Sequence, residues 1–147
     1  MTTPPPVFAQ FGRALAFAER TMTATLREHL AARDTQPETW YALSLIGSAE
    51  HDLSRETLAA DLEGSRTLTP DSVQELLARL EAEGLSRGDA VIELTAEGDA
   101  RYRSLREYIS QPTARLLGQF DVHDVETTIR TLQAITARAQ EELALST

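Results

Sequence analysis

The sequence predicts a mainly α-helical fold in which a helix-turn-helix and one small β-hairpin lie between two long terminal helices. Three observations lead there. Apolar residues recur every three or four positions at both ends of the chain. The stretch from Ser54 to Gly98 reads as short helix, loop, strongly periodic helix, hairpin and helix start. A short alternating run, Val91-Ile92-Glu93-Leu94, is the clearest strand signal.

The first helix is predicted over residues 7–30. Phe8, Phe11, Leu15, Ala18, Met22, Leu26 and Leu30 form one stripe on it. A helix this long needs another long helix to cover that stripe, from this chain or from a second copy. Residues 1–6, rich in proline, read as a flexible arm. Thr35-Gln36-Pro37-Glu38 has capping-box spacing, with Pro37 in a first turn, where no backbone donor is missed. The second helix runs from there to about Glu50, with Trp40, Leu43, Ile46 and Ala49 inward.

Ser54 is the expected cap of the third helix, which buries Leu58, Ala59 and Leu62 and stops at Gly64. Thr69-Pro70-Asp71 starts the fourth: a hydroxyl cap, a proline at the first position, an acid at the positive end of the dipole. That helix buries Val73, Leu76, Leu77 and Leu80 and ends at Gly84. Residues 85–87 and 90–94 form a hairpin about Gly88-Asp89. Thr95 caps a fifth helix carrying Tyr102, Leu105 and Ile109, and Pro112 should kink or break it. A last helix spans residues 124–145, with Val125, Ile129, Leu132, Thr136, Ala139 and Leu143 in one stripe.

The whole is then a single domain, residues 1–147. It is a winged helix-turn-helix lobe (37–98) with a small β-hairpin wing, between long N- and C-terminal dimerisation helices (7–33 and 99–145). Such a module presents one helix to a DNA major groove. Two terminal apolar stripes predict a homodimer.

Composition narrows the functions. The chain has no cysteine, which excludes disulfides, thiol redox sensing and thiolate metal sites, and points to the cytoplasm. No apolar run approaches the ~20 residues of a membrane span, and the start MTTPPPVFAQ lacks the basic and apolar regions of a secretory signal. His29, His51 and His123 share no ligand spacing, and no nucleophile motif surrounds any serine. No metal, cofactor or enzymatic activity is expected. The net charge of −9 is unusual for a nucleic-acid binder. Residues 54–98 hold four arginines against ten carboxylates, a net of −6 in the very module that would meet DNA.

Within that module the residues Leu58-Ala59-Ala60-Asp61-Leu62, Val73 to Leu85 (VQELLARLEAEGL) and Leu94-Thr95-Ala96-Glu97-Gly98 resemble the MarR family of winged-helix transcriptional regulators. The second stretch looks like the end of the family's recognition helix, and the third like its leucine-threonine-x-x-glycine entry to helix five. The likeness runs from Phe8 to Leu143. It implies an all-α dimer with a β-wing, binding to a pseudo-palindromic operator in double-stranded DNA, and relief by a small aromatic ligand held between dimer helices and DNA lobe. Two departures stand out. The wing is cut to Ser86-Arg87-Gly88-Asp89-Ala90, with Arg87 its one cation, and the loop 63–69 is several residues longer than usual.

The candidate DNA contacts are Arg55, Arg66 and Arg87 on phosphates, and Ser72, Gln74 and Arg79 on the outward face of the fourth helix. Arg55 and Arg66 read equally well as surface residues paired with Glu56 or Glu63. Arg101, Arg103 and Arg106 read as partners of acids on their own helix. The candidate ligand-pocket residues are Phe11, His29, Trp40 and Tyr41, although aromatics at helical spacing are more often core. The alternative to a regulator is a winged-helix dimer with a degenerate DNA face, acting as a protein- or small-molecule-binding module.

Overall fold

In a computed structural model the described residues are 2–66 and 68–146, with the side chains of residues 65 and 66 outside the description. Two compact units make up the chain, residues 1–107 and residues 108–147.

The first unit opens with α1 (Pro6–Ala31). Its end is set by Asp34, which sits in the left-handed region at φ 49°. Asp34 N–H donates to the Ala31 carbonyl (3.1 Å) and Thr35 N–H to that of Leu30 (2.9 Å), the paired closing bonds of a Schellman turn. Thr35 is thereby part of the end of α1, and its hydroxyl donates back to the Arg33 carbonyl at 3.0 Å. This corrects the expected capping box. The residue at the start of α2 (Pro37–Gly47) is Gln36, without a side-chain cap, and α2 is three residues shorter than its apolar pattern suggests. Ala42, Leu43 and Ile46 are its core residues, while Ala49 is exposed beyond its end.

A two-residue strand β1 (Leu53–Ser54) leads into α3 (Arg55–Arg66). Ser54 Oγ accepts from Thr57 N–H at 3.0 Å, as its capping role requires. Gly64 does not stop α3, which continues to Arg66. Leu58 and Leu62 are fully buried. The helix α4 (Pro70–Ala82) begins as the sequence predicts, with Thr69 Oγ1 accepting from Ser72 N–H at 3.1 Å. Val73, Leu76, Leu77 and Leu80 are its inward face. Gly84 (φ 76°) closes it with bonds from Gly84 N–H to Glu81 (3.0 Å) and Leu85 N–H to Leu80 (2.9 Å).

Strands β2 (Ser86–Arg87) and β3 (Val91–Leu94) form the hairpin. β1 adds to its other edge, antiparallel, with Leu53 opposite Ile92, so the sheet order is β1-β3-β2. The sequence pattern does not predict this third strand. α5 (Ala96–Leu117) comes next and passes from one unit into the other. Pro112 does not break it.

In the second unit α6 (Val122–Leu145) starts two residues earlier than predicted, because Asp121 caps it. Its carboxylate accepts from the N–H groups of His123 (2.8 Å) and Asp124 (3.3 Å). No described residue of α6 is buried. Among the described residues no helix is long and apolar enough to cross a membrane.

Candidate nucleic-acid interface

The apolar stripe of α4 turns inward, so the opposite side of the helix faces solvent. Ser72, Gln74 and Arg79 are exposed there, but so are Asp71, Glu75, Glu81 and Glu83. The cap engages Ser72, whose Oγ accepts from Thr69 Oγ1 at 2.8 Å. Gln74 has no side-chain hydrogen bond among the described residues, so its amide is available to a base edge. Arg79 leans off the helix toward α2 and donates from Nη2 to Thr39 Oγ1 at 3.3 Å.

The wing is braced from the start of α3. Arg55 contacts three successive carbonyls of the hairpin turn. Its backbone N–H donates to Ala90 (2.9 Å), Nε to Asp89 (3.0 Å) and Nη2 to Gly88 (2.8 Å). The same Nη2 stands 3.9 Å from a Glu81 carboxylate oxygen. Arg55 therefore aligns the first turn of α3 with the wing and the end of α4, a role its sequence neighbours do not suggest. Among the described residues Arg55 forms its ion pair with Glu81, not with Glu56.

Arg87, on β2, pairs with Glu93 across the hairpin at 2.7 Å, with both side chains about two-thirds exposed (67% and 60%). An ion pair so open to water is worth only ~0–1 kcal/mol, so a phosphate can exchange for the carboxylate at small cost. Arg66, the remaining candidate, has its side chain outside the described residues. Of the α5 arginines, Arg103 pairs with Asp99 on its own helix (2.9 Å), whereas Arg101 turns toward the α1–α2 junction and donates to Thr35 Oγ1 at 3.5 Å.

The four candidate pocket residues are not gathered in one chain. Phe11 and His29 both lie on α1, and eighteen residues of helix put them roughly 27 Å apart along its axis. Trp40 stacks on Tyr102 of α5, centroids 5.9 Å apart and planes at 24°, and so joins the packing between α2 and α5. Tyr41 is half-buried beside it.

No protein-family model matches the sequence, and no curated protein matches it. Solved structures do resemble the chain. The transcriptional regulator PA3341 is 20% identical, with a TM-score of 0.75 over 89% of this chain and 98% of that one. A transcriptional regulator of the MarR family from Rhodococcus sp. RHA1 is 17% identical, with a TM-score of 0.71 over 90% and 97%. CouR from Rhodococcus jostii RHA1, solved bound to p-coumaroyl-CoA, is 19% identical, with a TM-score of 0.70 over 85% and 90%. At such identities the likeness establishes the fold, a winged helix-turn-helix of the kind seen in MarR-family regulators.

Proposed function

We propose that the chain is a homodimeric DNA-binding transcription regulator of MarR type, working in the cytoplasm and answering to a small aromatic ligand. The observation that carries this reading is the outward face of α4. It is capped by Thr69, free of core duties, and flanked by a wing that Arg55 holds against it. In each copy α4 enters the major groove, with Gln74 and Ser72 toward base edges. Arg87 gives up Glu93 for a phosphate, and Arg66 supplies a second contact from the end of α3.

Dimerisation is supported by apolar surface that its own unit leaves bare. On α1, Phe8, Phe11, Leu15 and Met22 are 40–66% exposed, and on α6 Ile129 and Leu143 are 49% and 67% exposed. Residues 7–33 and 99–145 are the proposed dimerisation helices, and 37–98 the DNA-reading lobe of one functional domain. Phe11 and His29 stand too far apart on α1 to line one pocket within a chain, so the ligand pocket of this reading takes Phe11 from one copy and Trp40 and Tyr41 from the other.

A second reading is supported by the four carboxylates exposed on or just after α4. In it the dimer has lost DNA and binds a protein or a small molecule instead. One experiment separates the two: a gel shift of DNA from upstream of its own coding sequence at low salt. Retardation at micromolar dimer supports the regulator, and none would leave only the second reading. Few cations face DNA, so the regulator also requires a shallow salt dependence. Two to four phosphate contacts per dimer give a slope of log K on log salt of about −2 to −4.

A further inference from the structure

We propose that the cavity beneath the α1–α2 junction binds a small carboxylic acid bearing a hydroxyl or amino group beside its carboxylate, with Arg79 and Arg101 as the carboxylate's partners. The cavity measures about 410 Å³, and its wall is drawn from the turn between α1 and α2, from α2, from α4 and the residues just after it, and from α5, all in the first unit. That volume is within the range of small-molecule sites.

Arg79 arrives from α4 and Arg101 from α5, 22 residues later. Among the described residues each guanidinium finds only a neutral threonine hydroxyl, Arg79 at 3.3 Å (Thr39) and Arg101 at 3.5 Å (Thr35), the long end of hydrogen bonding. Among the described residues neither has a carboxylate within ion-pair distance, although Asp34 and Glu83 line the same cavity. Two planar forks converging without an anion are suited to a carboxylate, which each can take through paired N–H donors. Thr35 and Thr39 are nearly buried, at 5% and 7% exposure, so their hydroxyls are not mobile surface groups.

The rest of the wall narrows the class. Asp34 and Glu83 balance the two arginines, so a second negative charge on the ligand is disfavoured. A hydroxyl or ammonium next to the carboxylate meets these acceptors instead. Leu85 is the one apolar side chain in the wall, which leaves little for a large hydrocarbon body. This cavity contains none of Phe11, His29, Trp40 or Tyr41, so it is separate from the aromatic pocket proposed across the dimer.

The consequence for regulation rests on the DNA-binding reading. Arg79 belongs to the groove-facing helix, and its bond to Thr39 ties that helix to α2. A carboxylate shared with Arg101 ties it to α5 as well and holds the end of α4 in one place.

The test uses the full-length protein without DNA. The arginine Nε–Hε resonances are followed by NMR during titration with L-lactate and, separately, L-alanine, with lactamide as the uncharged control. We expect saturable shifts confined to Arg79 and Arg101 with one or both acids and none with lactamide. Arg101→Gln should weaken binding at least tenfold, and Arg103→Gln, on the same helix but outside the cavity, should not change it. The two acids distinguish a hydroxyl-bearing from an amine-bearing ligand. If Arg101→Gln unfolds, Arg79→Gln gives the same reading. No saturable shift with either acid, equal shifts with lactamide, or unchanged affinity in the arginine variants would overturn the proposal. A failed gel shift would leave it standing, and its own failure would leave the gel shift standing.

Discussion

Gly98 lies directly against the backbone carbonyl of Leu85. A Cβ added at Gly98 would overlap the Leu85 oxygen, which also accepts from Thr95 N–H at 3.1 Å. Thr95 completes the joint, donating its hydroxyl to the Gly84 carbonyl and accepting from Gly98 N–H at 3.0 Å. The leucine-threonine-x-x-glycine stretch thus has a physical cause: the turn after α4 and the first turn of α5 share one tight crossing. Gly98→Ala should cost about 2–3 kcal/mol, because the obstacle is backbone and cannot rotate away. Thermal unfolding should show the midpoint falling by roughly 5–10 °C. A change of a degree or less would mean the crossing is looser than the geometry says.

Gly64 is the opposite case. It sits exposed inside α3, with nothing within 4 Å of an added Cβ. Gly64→Ala should stabilise the protein by about 0.5–1 kcal/mol through helix propensity alone. A calorimetric scan that shows destabilisation would say that Gly64 has some task in the loop between α3 and α4.

These two glycines show how far local spacing carries. Gly84 and Thr69 act through bonds within six residues, so spacing alone suffices to place the ends of α4. Gly64 misleads because a glycine inside a helix and a glycine ending one have the same polar neighbours in a short window. Thr35 misleads for a related reason: α1 ends on Asp34, a non-glycine in the left-handed region, and takes Thr35 with it. Strand β1 is two residues whose only reason to be extended is Ile92 and Val91, nearly forty positions away. The site was less readable than the fold. The exposed face of α4 followed from its period, but the partners of Arg55, Arg79 and Arg101 lie 33 to 66 residues distant, beyond any local pattern.

Arg55 offers a direct test of that long-range bracing. Arg55→Ala removes two charged hydrogen bonds to the wing turn and should cost about 1–3 kcal/mol, with the Glu81 contact adding little at 3.9 Å. Arg55→Lys should recover only a minor part, since one ammonium cannot reproduce a fork across two carbonyls. Hydrogen exchange should localise the change, with the amides of residues 89–91 losing protection ahead of those in α4. Uniform loss across the unit would contradict a bracing role.

On DNA, the two polar classes on α4 should separate. Gln74→Ala should lower affinity for the specific operator by about 1–3 kcal/mol, roughly 5- to 150-fold, and leave binding to random DNA unchanged. Glu75→Gln removes one carboxylate per copy from the same face and should raise affinity for both DNAs several-fold at low salt. Fluorescence anisotropy with the two duplexes measures each. Should Gln74→Ala weaken both equally, α4 does not read bases.

Every step toward DNA assumes two copies, and the apolar stripe of α1 makes that assumption testable one residue at a time. Leu15 is 43% exposed and Phe11 40% within the chain itself. Fully burying such a side chain is worth about 1.5–3 kcal/mol, so covering the two-fifths still exposed contributes roughly 0.6–1.2 kcal/mol, which twofold symmetry doubles for each position. The wild-type protein should sediment near twice its 16.2 kDa chain mass at micromolar concentration. Leu15→Asp should shift it to the monomer by placing two unpaired carboxylates in the interface. Phe17 provides the control. It lies outside the stripe, is 58% exposed, and already carries the Arg20 guanidinium over its ring at 4.9 Å. Phe17→Ser should therefore leave the assembly intact. If the wild type sediments as a monomer, or if Phe17→Ser and Leu15→Asp act alike, the stripe is not the surface that joins the copies, and the spacing of two α4 helices on one operator loses its foundation.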